Sequence, residues 1–113
     1  MITIYHNPRC SKSRECLQLL ELQEKPFTVV KYLDNTLTQK ELVNIITILG
    51  IKPIELVRQK EAVWIENYRG KNLPDNDIID AMLKHPQLIE RPIVINNNKG
   101  VIARPAGRIN EIL

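Results

Sequence analysis

Over the first 32 or so residues the spacing of apolar positions switches from strand to helix and back to strand, and few architectures accept that switch in so short a span. Ile2 to His6 reads as a short buried strand. Ser11 to Glu24 reads as a helix, with Cys16, Leu19 and Leu20 at i, i+3 and i+4 spacing and Leu17 and Leu22 widening the stripe. Lys25-Pro26 breaks it, and Phe27 to Tyr32, rich in β-branched residues, reads as a second strand. Such a unit usually has parallel strands and a right-handed crossover. It also places Cys10 at the amino end of the helix, where unsatisfied N–H groups and the positive dipole end favour thiolate over thiol. Arg9, Lys12, Arg14 and His6 are nearby sources of positive charge, and these polar neighbours argue against a buried structural cysteine. Cys10 is therefore a candidate nucleophile.

The middle of the chain has a different character. Thr38-Gln39-Lys40-Glu41 forms a capping box ahead of Leu42, Val43, Ile45, Ile46 and Leu49, and Gly50 stops that helix. Short helices are expected over Pro53 to Arg58 and Glu61 to Tyr68, and another over Asp75 to Lys84, ending before His85-Pro86. Trp64 and Tyr68, an i, i+4 pair, read as a packing face. The end returns to strands, Pro92 to Ile95 and Val101 to Ala103, around a hairpin loop Asn96 to Gly100, and a short helix over Ala106 to Leu113 closes the chain. The order is strand-helix-strand, helical insert at about 38–85, strand-strand-helix. No repeat, linker or low-complexity tract interrupts it, so residues 1–113 are expected to form one α/β domain.

The formal charge of +3 suits an anionic partner, yet the Lys and Arg residues are interleaved with acidic ones and the few aromatics lack a stacking-platform spacing. Nucleic acid is not the expected partner. No stretch approaches the ~18 apolar residues of a spanning helix, so no membrane partner is expected, and two cysteines cannot build a disulfide scaffold. The expected setting is the cytoplasm, with reduced thiols. Cys16 reads as a small core residue: six helical residues separate it from Cys10 by a rise of ~9 Å, beyond the ~7 Å Cα separation a disulfide allows. Neither residue type nor spacing suggests a metal site joining His6 and His85.

The motifs Ile4-Tyr5-His6-Asn7-Pro8-Arg9-Cys10-Ser11-Lys12-Ser13-Arg14, Leu56-Val57-Arg58, His85-Pro86 through Leu88-Ile89-Glu90-Arg91-Pro92-Ile93-Val94, and Ala103-Arg104-Pro105 occur in this order along almost the whole chain. Together they resemble the arsenate reductase family that works with glutathione and glutaredoxin (ArsC), and the chain is similar to its compact members. The resemblance implies a thioredoxin-like (glutaredoxin-like) mixed sheet with the helical insertion. It implies Cys10 as catalytic nucleophile, with His6 tuning the sulfur's surroundings and Ser13 and the helix-end amides stabilising the thiolate. Arg58, Arg91 and Arg104 would bind the oxyanion, and Arg91–Pro92 would be a cis bond beside the thiol. Guanidinium groups suit a tetrahedral oxyanion because they keep their charge and fork geometry. Arsenate or a similar oxyanion would be the substrate, glutathione the co-substrate and glutaredoxin the partner, with no bound cofactor or metal.

By residue type alone, Arg58 reads as a solvated helical arginine, Arg108 competes with Arg104, and His6 reads equally as a strand-end residue satisfied by the backbone. The position three residues after Cys10 is Ser13, so the chain has Cys-x-x-Ser and no local resolving thiol. Two other activities share the resemblance: a transcriptional regulator similar to Spx that contacts RNA polymerase, and a thiol reductase acting on another substrate. The regulators commonly use a Cys-x-x-Cys switch, which Ser13 removes.

Overall fold

The computed structural model describes residues 1–113. Four strands, β1 (Ile2–Tyr5), β2 (Phe27–Val30), β3 (Ile93–Asn96) and β4 (Lys99–Ile102), form one sheet in the order β2-β1-β3-β4. β1 pairs in parallel with β2 and antiparallel with β3, and β4 returns antiparallel to β3. This is the thioredoxin-like mixed sheet that the sequence motifs imply. The register sets Val30, Ile93 and, through Ile93, Ile102 level with Tyr5. The segments after β1 and β4 and the segment before β3 therefore emerge at the same end of the sheet.

The chain divides into two compact units, Met1–Asn35 with Arg91–Leu113, and Thr36–Glu90. In the first, α1 (Ser11–Leu22) follows β1 and makes contact with a closing 3₁₀ helix, Ala106–Glu111. Their apolar positions meet one face of the sheet, where Ile2, Ile4, Cys16, Leu20, Val94, Val101, Ala103, Ile109 and Ile112 form a buried cluster. Alternation along β1 explains the choice: Ile2 and Ile4 share one face at period two.

The second unit carries α2 (Gln39–Leu49), a 3₁₀ turn at Pro53–Leu56, α3 (Ala62–Asn67), α4 (Asp75–Lys84) and a 3₁₀ turn at Pro86–Leu88. α4 packs against α2 and both 3₁₀ turns, with Ile78, Ile79, Ala81 and Met82 buried on its inner side. The expected capping box forms: Thr38 Oγ1 accepts from the Glu41 N–H at 3.1 Å and the Glu41 carboxylate accepts from the Thr38 N–H at 3.1 Å. Gly50 ends α2 in the left-handed region, at φ +67°. Trp64 and Tyr68 stack with ring centroids 5.2 Å apart, and Trp64 is buried, as a packing pair should be.

Local details differ from expectation: α1 stops at Leu22, short of Glu24, with Leu22 exposed and outside the buried stripe, and β2 stops at Val30, short of Tyr32. The hairpin loop shrinks from Asn96–Gly100 to a turn at Asn97 and Asn98, because Asn97 takes φ +58° and lets Lys99 and Gly100 pair with Asn96 and Ile95. The closing helix is 3₁₀ and ends at Glu111. The turn at Pro53 is also 3₁₀ and ends at Leu56, since Val57 leaves it for an extended bridge to Ile89. A 3₁₀ turn at Pro86–Leu88, not expected from the sequence, opens on its proline. The expected cis bond at Arg91–Pro92 is present, and Arg104–Pro105 is cis as well.

Replacing Thr38 by Ala removes the side-chain half of the capping box, and is expected to cost about 1 kcal/mol. Urea unfolding should show a lower midpoint with unchanged slope; an unchanged midpoint would mean the box adds nothing here.

Candidate active site

β1 ends at Tyr5, and His6 extends its pairing by donating its N–H to the Val30 carbonyl at 2.8 Å. The chain then turns tightly, with the Cys10 N–H donating to the Asn7 carbonyl at 3.0 Å. Cys10 is the N-cap of α1, in extended conformation, and its carbonyl accepts the Arg14 N–H at 3.0 Å. As the N-cap residue it carries its sulfur at the open amino end of the helix, beside the N–H groups of the first turn.

Partial burial of that sulfur works against ionisation, but the opposing interactions prevail and the thiol pKa falls below its ordinary 9.0. In order, these are a hydrogen bond from the Ser13 N–H, one from the Arg91 guanidinium, one from the Lys12 N–H, and the charge of Arg91. The main cation at the sulfur thus arrives from the segment before β3. Arg14, expected near the thiol, instead donates Nη1 to the Pro8 carbonyl at 2.9 Å.

Ser13 and His6 are both buried, 0% and 4% exposed, so their polar atoms must satisfy one another. Ser13 Oγ accepts the Asn7 N–H at 3.0 Å and lies 2.7 Å from His6 Nδ1. The hydroxyl oxygen can accept both the Asn7 N–H and a ring N–H, so the His6–Ser13 pairing holds in either neutral tautomer of the imidazole. Burial, then the charges of Lys31 and Arg14, lower the His6 pKa and favour the neutral ring. His6 is therefore not the positive charge at the sulfur that its position in the sequence suggests. Ser13 meets the thiolate through its backbone N–H, while its hydroxyl belongs to the His6 and Asn7 network.

Arg104 follows β4 and directs Nη1 at the Arg91 carbonyl, at 3.5 Å, the outer limit of a hydrogen bond. Pro92, buried, accepts the Ala103 N–H at 2.9 Å, joining the two arginine-bearing segments. Arg108, the competitor, turns to the Glu111 carboxylate at 3.1 Å and the Ile102 carbonyl at 3.2 Å. Arg58 belongs to the helical unit. There it is half-buried and paired with Glu90 at 3.4 Å, and its own N–H donates to the Leu88 carbonyl at 2.7 Å, so it is not a solvated surface arginine. Its buried Nε has no hydrogen-bond partner.

Cys16 is wholly buried, and that burial pushes its pKa up to about 11. Both cysteines are free. No group of three His, Cys, Asp or Glu side chains is arranged to hold a metal ion, and no helix is long and apolar enough to cross a membrane. Asn7, to which the sequence motifs assign no part, belongs to this site as well. The signal was available in an Asn two residues before Arg9, the spacing of an Asx turn.

The ArsC family model matches residues 5–112, nearly the whole span just described. The chain belongs to the ArsC family. It is 43% identical to the uncharacterized protein YfgD of Escherichia coli (strain K12), covering 99% of this chain and 96% of that one. It is 40% identical to an arsenate reductase of Neisseria meningitidis serogroup A, covering 99% and 97%. A solved arsenate reductase from Vibrio cholerae superposes with a TM-score of 0.94 at 42% identity, over 99% of this ArsC chain and 97% of that one.

Two expectations follow from the geometry. Iodoacetamide at neutral pH should label Cys10 and leave Cys16 untouched, read by peptide mass spectrometry; comparable labelling of both would contradict the depressed and raised pKa values. His6 supplies a pH dependence. Its folded pKa lies below the ordinary 6.5, so the unfolded chain binds more protons between the two values and stability rises with pH through that window. Stability is lost as the pH falls from 6.5 through the folded value. Chemical denaturation between pH 5 and 8 should show this rise in wild type and a flatter profile in His6→Asn.

Proposed function

We propose that this ArsC-family chain is a monothiol oxidoreductase that reduces arsenate, with Cys10 as nucleophile and glutathione and glutaredoxin supplying the electrons. The observation that carries the proposal is the sulfur's position before the Ser13 and Lys12 N–H groups with the Arg91 guanidinium on it. The names of the Neisseria and Vibrio relatives support arsenate as the oxyanion.

The thiolate attacks arsenic, and an oxygen leaves as water after protonation, giving a thiol-arsenate adduct in which arsenic is still pentavalent. Arg91, with Arg104 alongside, holds the oxyanion and offsets the charge that builds on its oxygens. Reduction to the trivalent state takes two electrons, and two thiols give them up by joining as a disulfide. Cys10 has no partner for this: Ser13 stands at the thioredoxin position and Cys16 is buried and protonated. External thiols must therefore complete the cycle. Glutathione attacks the Cys10 sulfur of the adduct, and the S–As bond breaks with its electron pair passing to arsenic. Arsenite is released, and glutaredoxin takes the glutathione from the resulting Cys10 mixed disulfide to restore the thiol.

The test is NADPH consumption in an assay coupling glutathione, glutathione reductase and glutaredoxin, with and without arsenate. Arsenate-dependent turnover is expected in wild type and should vanish in Cys10→Ser with the fold retained. Arg91→Lys should lower kcat/KM by roughly 10²-fold, the scale of losing one fixed oxyanion donor. Turnover in Cys10→Ser near wild type would overturn the nucleophile, and turnover without glutaredoxin would overturn the donor.

A further inference from the structure

Asn7 is a buried polar residue at the reactive turn, 7% exposed, with no part in the steps above. Three of its groups bind the segment that holds Cys10. Its carbonyl accepts the Cys10 N–H at 3.0 Å. Its Oδ1 accepts the Arg9 N–H at 3.0 Å, closing an Asx turn over Pro8. Its N–H donates to Ser13 Oγ at 3.0 Å. The last bond fixes the residue whose own N–H faces the sulfur. One residue thus ties the turn before Cys10 to the first turn of α1 after it.

The residue type fits this position. A neutral amide oxygen closes the turn without adding charge, whereas Asp would close it with a second negative charge near the thiolate. Ala would remove the acceptor of the Arg9 N–H and with it the side-chain bond that closes the turn.

We infer that Asn7 is a positioning residue for Cys10, its side chain holding the turn so that the sulfur stays before the Ser13 and Lys12 N–H groups and the Arg91 guanidinium. The inference rests on Cys10 being the reacting thiol.

The experiment is the pH profile of iodoacetamide alkylation at Cys10, resolved by peptide mass spectrometry on the full chain, with thermal unfolding to confirm folding. In Asn7→Ala the midpoint should move up and the rate at pH 7 fall about threefold to tenfold, the effect of one lost hydrogen bond. Asn7→Ser, which keeps a short neutral acceptor, should recover most of the rate. Asn7→Asp should keep the turn yet raise the midpoint through its charge. If Asn7→Ala does not fold, Asn7→Gly, which lacks the acceptor and tolerates any backbone angle, takes its place. A folded Ala or Gly variant with the wild-type midpoint, or a Ser variant no better than Ala, overturns the positioning role. Wild-type Cys10 titrating as an ordinary thiol would instead remove the reading beneath it.

Discussion

Because Tyr5 pairs with Ile93 on one side and with Val30 on the other, β1 occupies an interior position and determines where three other segments meet. Ile102 pairs in turn with Ile93, so the turn after β1, the Arg91–Pro92 segment and the Arg104 segment all emerge at one sheet end. The same register sends Ile2 and Ile4 into the cluster with Cys16, Leu20 and Ile109. A slip of one residue would reverse every side chain of β1, exposing those isoleucines and moving the turn away from Arg91 together. The core and the thiol environment thus depend on one pairing.

At the sulfur, two opposite effects are balanced. Burial favours the neutral thiol, and at Cys16, where nothing opposes it, the thiol is held near pKa 11. At Cys10 the helix-end N–H groups and one guanidinium reverse that preference. The two cysteines sit on the same helix and differ only in what surrounds them. Charge alone would not suffice, since a flexible lysine would bring its own hydration and no fixed donor direction. His6, which looks like a further cation in the sequence, is kept neutral by burial and by Lys31 and Arg14. It pairs with the Ser13 hydroxyl at 2.7 Å, and through Ser13 it is connected to the helix start.

Much of the architecture was legible because local chemistry and tertiary packing agree. The 3.6 period of Cys16, Leu19 and Leu20, the Thr38–Glu41 box, the stop at Gly50 and the limits of Asp75–Lys84 are local signals, and each lies where it was read. What was misread was conformational fine structure. Whether Pro53–Leu56 and Ala106–Glu111 wind as α or 3₁₀ depends on what the next residue pairs with, as Val57 does with Ile89, and no local pattern records that. The hairpin turn needed the left-handed conformation at Asn97, which Asn permits without requiring.

The sequence by itself determined the strand-helix-strand start, the thiol at a helix amino end, the missing resolving thiol and the arginine-bearing motifs, because each is a matter of residue type and spacing. It also identified Cys16 as a core residue by helical geometry. Only the tertiary structure decided which cation touches the sulfur, that Arg14 turns to Pro8 while Arg91 arrives from 81 residues further along, and that His6 is neutral. It decided too that Arg108 is occupied by Glu111 and Ile102, and that Asn7 knots the reactive turn. The reason is physical: a pKa and a hydrogen-bond direction depend on distances across the sheet end, and those distances are set by strand register.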